Sequence, residues 1–265
     1  MGWQWDPTLY EGSAQFYAQG RMPYPQALAD VLRDELALDG TGRLLDVGCG
    51  PGKLTVVLAP LFAEVIGIDA DAAMVEAASR RAPANATFRH LRAEELPADL
   101  GTFDVVAFAQ SFHWMDQMRV GAIVHEMLRD GGAFVTVGAT THEGDGNIPR
   151  EAIATLVESY LGAARRAGQS SIANDGPPWN ATEALDAAGF GPPIELPVPA
   201  GQTYDRSEDD IVASVYSQSR SAPHLFGERL RDFEHDLRAL LRERAPADGY
   251  RETLRDEALL VRRRD

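Results

Sequence analysis

The chain has 265 residues, 45% hydrophobic and 25% charged, with a formal net charge of −15 and one cysteine, Cys49. That length supports one elaborate domain or two small ones and a core that folds without cross-links, and one cysteine excludes an internal disulfide. The acidic balance argues against a nucleic-acid partner, no apolar run approaches the ~20 residues of a membrane span, and no basic-then-apolar leader opens the chain, so it reads as soluble and cytoplasmic.

Residues 24–37 carry Leu28, Val31, Leu32 and Leu36 at spacings of three and four, which predicts a helix. From there strand-like runs at 43–48, 64–69, 86–92, 103–109 and 132–139 alternate with helix-like runs at 53–62, 72–81 and 117–129. The strands are rich in Val, Ile, Leu and Phe, as strands buried on both faces are. Such alternation predicts a parallel sheet with right-handed crossovers and helices on both faces, a Rossmann-like α/β fold. The glycines of "RDGGAF" (129–134) read as a stop between a helix and the fifth strand.

The second half is less regular. A loop at 141–149 leaves the fifth strand, a helix is expected at 150–167, and "NDGPPW" (174–179) reads as a loop. A short helix follows at 180–190. "GPPIELPVPAGQTYD" (191–205) predicts one strand, which its prolines confine to an edge. Helices are expected at 207–219 and 224–244, the latter with a stripe of Leu230, Phe233, Leu237 and Leu240, and one strand at 250–263 closes the chain. The stripe reads as a helix covering its own domain, so an oligomer is possible but not indicated. No linker divides the chain. Residues 1–265 read as a single domain, with 1–25 as an N-terminal lid and 141–180 and 205–249 as helical cap insertions that build substrate-pocket walls.

The stretch "DVGCGPGK" (46–53) is the chemical centre of the sequence. A strand, a glycine turn and a helix let backbone amides and a helix N-terminus approach a ligand that side chains would hold away. A dinucleotide turn has the spacing G-x-G-x-x-G. Here Gly48, Gly50 and Gly52 give G-x-G-x-G, and Lys53 occupies the third dinucleotide position, which disfavours a nicotinamide oxidoreductase. Asp69 ends the second strand 23 residues after Asp46, where a carboxylate accepts hydrogen bonds from two ribose hydroxyls. The expected ligand has a ribose and no pyrophosphate.

"LLDVGCGPG" followed by "VIGIDA", "AEELP" (93–97) and "FDVVAFAQSFHWMD" (103–116) resembles the class I S-adenosylmethionine-dependent methyltransferases, well over 40–140 and in outline elsewhere. The resemblance implies a seven-stranded sheet with an antiparallel last strand and S-adenosyl-L-methionine as cofactor. It implies that Gly48 and Gly50 face the methionine part, and that Asp46 orients that loop or the amino group. Asp69 binds the ribose, Ala70 and Met74 lie beside the adenine, Ala93 offers its amide to the adenine with Glu94 close, and Gln110 lies beneath the cofactor. Relatives often place an aspartate before that alanine; here it is Arg92, which shifts adenine recognition to Glu94. "FHWMD" and "FYAQGRMPYP" (16–25) resemble the subgroup that includes trans-aconitate methyltransferase-like proteins, which implies cofactor contacts from Tyr17 and Arg21 and substrate contacts from Tyr24 and Trp114. Plain core packing is the alternative for each aromatic.

Methyl transfer from a sulfonium is an in-line displacement, and a base is needed only where the nucleophile arrives protonated. His113, just past the fourth strand, is the leading base, and His142, at the end of the fifth, the second; the carboxyl edge of an open sheet is where such folds bind ligands. His90, His125, His224 and His235 have no motif around them. No Cys/His spacing suggests a metal. The expected activity is methylation of a small organic molecule, at oxygen first, with N- or C-methylation and non-catalytic S-adenosylmethionine binding as alternatives.

Overall fold

A computed structural model gives the fold and describes residues 6–138, 141–163, 165–167, 170–172 and 181–264. The first half follows the expected alternation: β1 (Arg43–Val47), β2 (Glu64–Asp69), β3 (Ala86–His90), β4 (Phe103–Ala109) and β5 (Leu128–Val137). Between them run α3 (Lys53–Leu58), α4 (Ala72–Ser79) and α5 (Gln117–Met127), preceded by α1 (Ala14–Gly20) and α2 (Gln26–Leu36). The main sheet has the order β3-β2-β1-β4-β5, then strand Glu257–Arg263, then strand Ile194–Val198 at the edge. All strands are parallel except Glu257–Arg263, which is antiparallel to both neighbours. This is the seven-stranded, Rossmann-like sheet the sequence predicts.

Alternation along the strands splits the core in two. Leu44, Val65, Val105 and Val135 meet Leu28, Leu32, Leu54 and Leu58 on one face. Leu45, Ile66, Val106 and Phe134 meet Val120, Val124 and Phe190 on the other. Both faces are covered by helices, so the strands need no polar alternation. The chain reverses direction of travel across the sheet between β1 and β4, and a crevice opens beyond their carboxyl ends.

The second half adds α6 (Arg150–Leu161), α7 (Ala181–Ala187), α8 (Glu208–Tyr216) and α9 (Leu230–Glu243). Helices α6, α8 and α9 share a third core, in which Phe226 stacks on Phe233 at 4.0 Å beside Tyr216 and Leu237. Among the described residues no helix is long and apolar enough to cross a membrane.

Several boundaries depart from expectation, each for a local reason. The helix expected to 167 ends at Leu161, because Gly162 turns left-handed at φ 81°. The helix expected from 224 is a 3₁₀ stretch, Pro223–Arg229, broken at Gly227 (φ 53°, ψ −128°), before α9 begins. The helix expected over 207–219 is the shorter α8, started by a Ser207/Asp210 capping box. The fifth strand starts at Leu128, before the glycines, and a register shift opposite Phe103 and Val105 absorbs them.

The largest correction concerns two strands read as continuous. The 191–205 run splits into Ile194–Val198 and Thr203–Arg206, and the 250–263 run splits into Tyr250–Thr253 and Glu257–Arg263. Thr203–Arg206, Tyr250–Thr253 and Asp145–Gly146 form a separate three-stranded antiparallel sheet. The two breaks lie side by side, joined by Gly201 N to Leu254 O at 3.0 Å and Leu254 N to Gln202 O at 2.9 Å. Both segments therefore change sheet together. The loop expected at 174–179 lies outside the described residues.

Candidate active site

The glycine turn is held from behind. Gly48 N and Cys49 N both donate to Ile68 O, at 2.8 and 3.0 Å, which seats the turn against the end of β2. Gly50 N donates to Asp69 Oδ2 at 2.8 Å, and Asp71 N donates to Asp69 Oδ1 at 2.9 Å. Each Asp69 oxygen thus keeps a lone pair for a further donor. Burial raises the Asp69 carboxyl to about 6, against the pull of those two amides.

Two of the glycines sit in the left-handed region, one against a neighbour and one against open space. Gly48 has φ 69°, and a Cβ there would stand 2.5 Å from Ser111 Cβ. Ser111 is fixed in turn by its hydroxyl, which donates to Val47 O at 2.6 Å. Gly50 has φ 53° and lines the cavity, and nothing lies within 4 Å of where its Cβ would be. That bare space is what a ligand pressed against the backbone requires.

Two adjoining cavities occupy the crevice. The first holds about 700 Å³ of empty space. Of the expected cofactor residues, Tyr17, Gly48, Gly50, Asp69, Ala70, Met74, Ala93, Glu94 and Gln110 all line it. Glu94 is buried and accepts from Asp116 N at 3.1 Å. Gln110 adopts φ 53°, rare for a residue with a side chain, while its Nε2 donates to Gly138 O at 2.7 Å.

The second cavity is larger, about 2280 Å³ of empty space with an open mouth, and both His113 and His142 line it. Tyr10, Tyr17, Gln110, Ser111 and Trp114 line both cavities and so form their common wall. Burial lowers His113 to about 4, so it is a neutral imidazole near pH 7. His142 Nδ1 accepts from Arg21 Nη1 at 3.1 Å. A guanidinium only donates, so the proton of neutral His142 sits on Nε2. Burial, with Arg21, Arg220 and Arg150 nearby, lowers His142 to about 3.

Three expected residues stand elsewhere. Arg21 lines the second cavity, not the first, and donates to Ser217 Oγ and Ser217 O at 2.8 and 2.7 Å. It therefore ties the N-terminal segment to α8. Asp46 lines neither cavity. It is fully buried and accepts from Thr55 Oγ1 at 2.6 Å, so it braces the turn against α3. Its Oδ1 has no hydrogen-bond partner, and burial raises its carboxyl to about 7. Tyr24 also lines neither cavity and packs against the core beneath the sheet, the alternative the sequence left open.

Sequence reasoning missed Leu9, Tyr10, Leu91 and Met115 in the first cavity, and Ser219 and Glu257 in the second. Tyr10 had a signal, since aromatics run through the whole N-terminal stretch. Ser219 and Glu257 had none, because only the folded chain brings them to the site. Lys53 gained a role as well. Its ammonium, which burial lowers to about 7, donates to Arg21 O and to Met22 O, joining α3 to the N-terminal segment.

Comparison with known proteins agrees with this geometry. The sequence profile of a methyltransferase-domain family matches residues 44–132. The chain is similar to an uncharacterized methyltransferase of Mycobacterium tuberculosis, Rv3342, at 34% identity over 52% of this chain and 55% of that protein. It is similar to an uncharacterized methyltransferase of Schizosaccharomyces pombe, C70.08c, at 32% identity over 67% of this chain and 70% of that protein. The chain spans about half the length of the first of these. A putative type II methyltransferase from Anaeromyxobacter dehalogenans has the same fold, with a TM-score of 0.53 at 23% identity over 92% of this chain and 97% of that one. The chain belongs to the class I S-adenosylmethionine-dependent methyltransferases. S-adenosyl-L-methionine is the cofactor of that family, and the bare turn, the half-buried Asp69 carboxylate and the open space at Gly50 suit an adenosyl ligand.

Proposed function

We propose that the protein methylates a small organic acceptor, at oxygen, with S-adenosylmethionine in the first cavity and the acceptor in the second. The common wall of Tyr10, Tyr17, Gln110, Ser111 and Trp114 carries this reading, because one ligand in each cavity meets the other only there. The cofactor supplies a methyl carbon on a positively charged sulfur. The wall holds the acceptor oxygen in line with that bond and excludes water; positioning of this kind supplies ~7–11 kcal/mol of a barrier.

Asp69 takes the two ribose hydroxyls, Ala70 and Met74 flank the adenine, and Glu94 with the Ala93 amide reads its edge. Asp46 acts through the turn rather than on the cofactor. His113 accepts the proton of a hydroxyl acceptor, since its neutral ring lines the acceptor cavity and lies against Trp114 at 4.7 Å. His142 is the poorer base, because its Nδ1 is taken by Arg21; its Nε2–H is a donor that orients the acceptor. Residues 6–25 form the lid, and 141–163 with 205–249 the cap. The net charge of −15 supports a small-molecule partner over nucleic acid, and a lone buried cysteine suits the cytoplasm.

The test is release of S-adenosylhomocysteine from the intact protein across carboxylates, phenols, sugars and amines, with the methylated atom read by mass spectrometry. Methyl on oxygen of one class supports the reading. Methyl on nitrogen or carbon overturns the choice of atom, and saturable cofactor binding with no acceptor turned over overturns the enzyme.

A further inference from the structure

The second cavity has a continuous floor made by one row of the main sheet. Strand register sets Phe108 of β4 opposite Thr136 of β5, Thr136 opposite Leu260, and Leu260 opposite Glu195. Residues paired in this way point to the same face of a sheet, and all four line the cavity. Neighbouring strands lie about 4.8 Å apart, so the row is about 14 Å long.

Leu260 is the member that stands out. It is 43% exposed, whereas Leu259 and Val261, on the opposite face, are 0% exposed. Helix α7 covers the face of Leu260 only as far as Arg262, two positions on, which is buried and donates to Asp186 Oδ1. Beyond that cover the apolar surface continues. The rings of Phe108 and Phe112 lie 5.0 Å apart, and Phe112 and Trp114 carry the lining on to the common wall. A leucine left open on an inner strand, in line with aromatic rings, is apolar surface that a ligand would remove from water.

Charge in the cavity argues in the same direction. Glu143, Glu195 and Glu257 line it, against Arg21 and Arg220. Arg21 is taken by Ser217 and His142, and Arg220 Nε donates to Gln218 Oε1 at 2.9 Å. The row itself ends at the exposed carboxylate of Glu195. An anion lying along it meets repulsion, whereas an uncharged ring meets apolar floor and aromatic edges.

We propose that the acceptor is an uncharged, planar, ring-bearing hydroxy compound, which lies on the floor of Phe108, Thr136 and Leu260 with its hydroxyl toward His113 and the common wall. The proposal rests on the methyltransferase reading above and names the acceptor class: a phenol, rather than an aliphatic acid. Leu260 sets the preference, because it supplies the open apolar surface in the middle of the row.

The test fills the first cavity of the intact protein with S-adenosylhomocysteine, then titrates 2-naphthol and, separately, succinate by calorimetry. Saturable binding of 2-naphthol is expected, with succinate about tenfold weaker or more. Leu260→Asp is expected to weaken 2-naphthol about tenfold or more and Leu260→Phe to keep it within about threefold, both with S-adenosylhomocysteine affinity within about twofold of the parent. If Leu260→Asp fails to melt cooperatively, Leu260→Ala decides in its place, at about fivefold weaker. Absence of saturable 2-naphthol binding, succinate binding as tight, or 2-naphthol affinity unchanged in the folded variant overturns this acceptor class, while S-adenosylhomocysteine binding leaves the methyltransferase reading intact. A parent dimer that Leu260→Asp turns into a monomer also overturns it, since the floor would then belong to a second copy of the chain. Absence of S-adenosylhomocysteine binding in the parent overturns the methyltransferase reading, and this proposal with it.

Discussion

The proposed cofactor cavity draws most of its lining from residues 48–115, the turns beyond β1, β2, β3 and β4, whereas the proposed acceptor cavity draws on stretches spread from Tyr10 to Leu260. The first is built largely of backbone: a bare turn at Gly48 and Gly50, an amide at Ala93, a left-handed Gln110. The second is built of side chains from the N-terminal segment, the stretch 108–117 at the end of β4, the loop after β5, the 3₁₀ turn Ser219–Ser221 and the antiparallel strand. On the proposed function the first cavity takes the ligand of constant chemistry, beside a turn bare of side chains at Gly48 and Gly50. On the same proposal the second takes the acceptor, whose recognition falls to side chains that can change on a fixed sheet.

Substitutions that separate the two cavities test that contrast. His113→Ala is expected to have the largest effect, lowering turnover of a hydroxyl acceptor by about 10²–10⁴-fold, while cofactor affinity stays level by calorimetry. Equal loss of both would place His113 in the cofactor cavity and dissolve the division of labour.

Asp69→Ala comes next, with an expected loss of about a hundredfold in S-adenosylmethionine affinity, from two hydrogen bonds to a charged acceptor. A pH series sharpens this. Burial places the Asp69 carboxyl near 6, and the ribose hydroxyls need the ionised form. Protonation therefore competes with the cofactor, so affinity is level above neutrality and falls about tenfold per pH unit once pH drops well below 6. Affinity that is flat from pH 7 to 4.5 would show that Asp69 is not the ribose acceptor.

Lys53→Met is the smallest of the three, about tenfold in cofactor affinity, because it loosens the lid rather than removing a contact. Arg21 O and Met22 O lose their donor, so residues 14–25 become more open to limited proteolysis while the melting of the sheet changes little. Lys53→Arg, which keeps a donor there, is expected to restore much of the affinity. If proteolysis of the lid is unaltered, the bond to Lys53 is incidental.

How legible each part was follows the same line. The glycine turn and Asp69 were readable because local chain geometry dictates them: the turn follows its strand directly, and Asp69 closes the strand beside it. Tyr24 was misplaced because a motif gives the order of aromatics but not the direction in which each side chain packs. The runs at 191–205 and 250–263 were read as single strands because period-two patterning is the same in either sheet, and only their mutual bonds at Gly201 and Leu254 show the change of partner.

By itself the sequence determined the parallel α/β sheet, the family to which the chain belongs and most of the residues that line the first cavity, since all of these depend on neighbours within a few dozen positions. Tertiary structure alone decided that Arg21 bonds Ser217 at the end of α8 and His142, that Tyr24 packs against the core, and that Ser219 and Glu257 reach the second cavity. Those are contacts across more than a hundred positions in several cases, set by how two sheets and a helical layer pack, and no local pattern of residues encodes them.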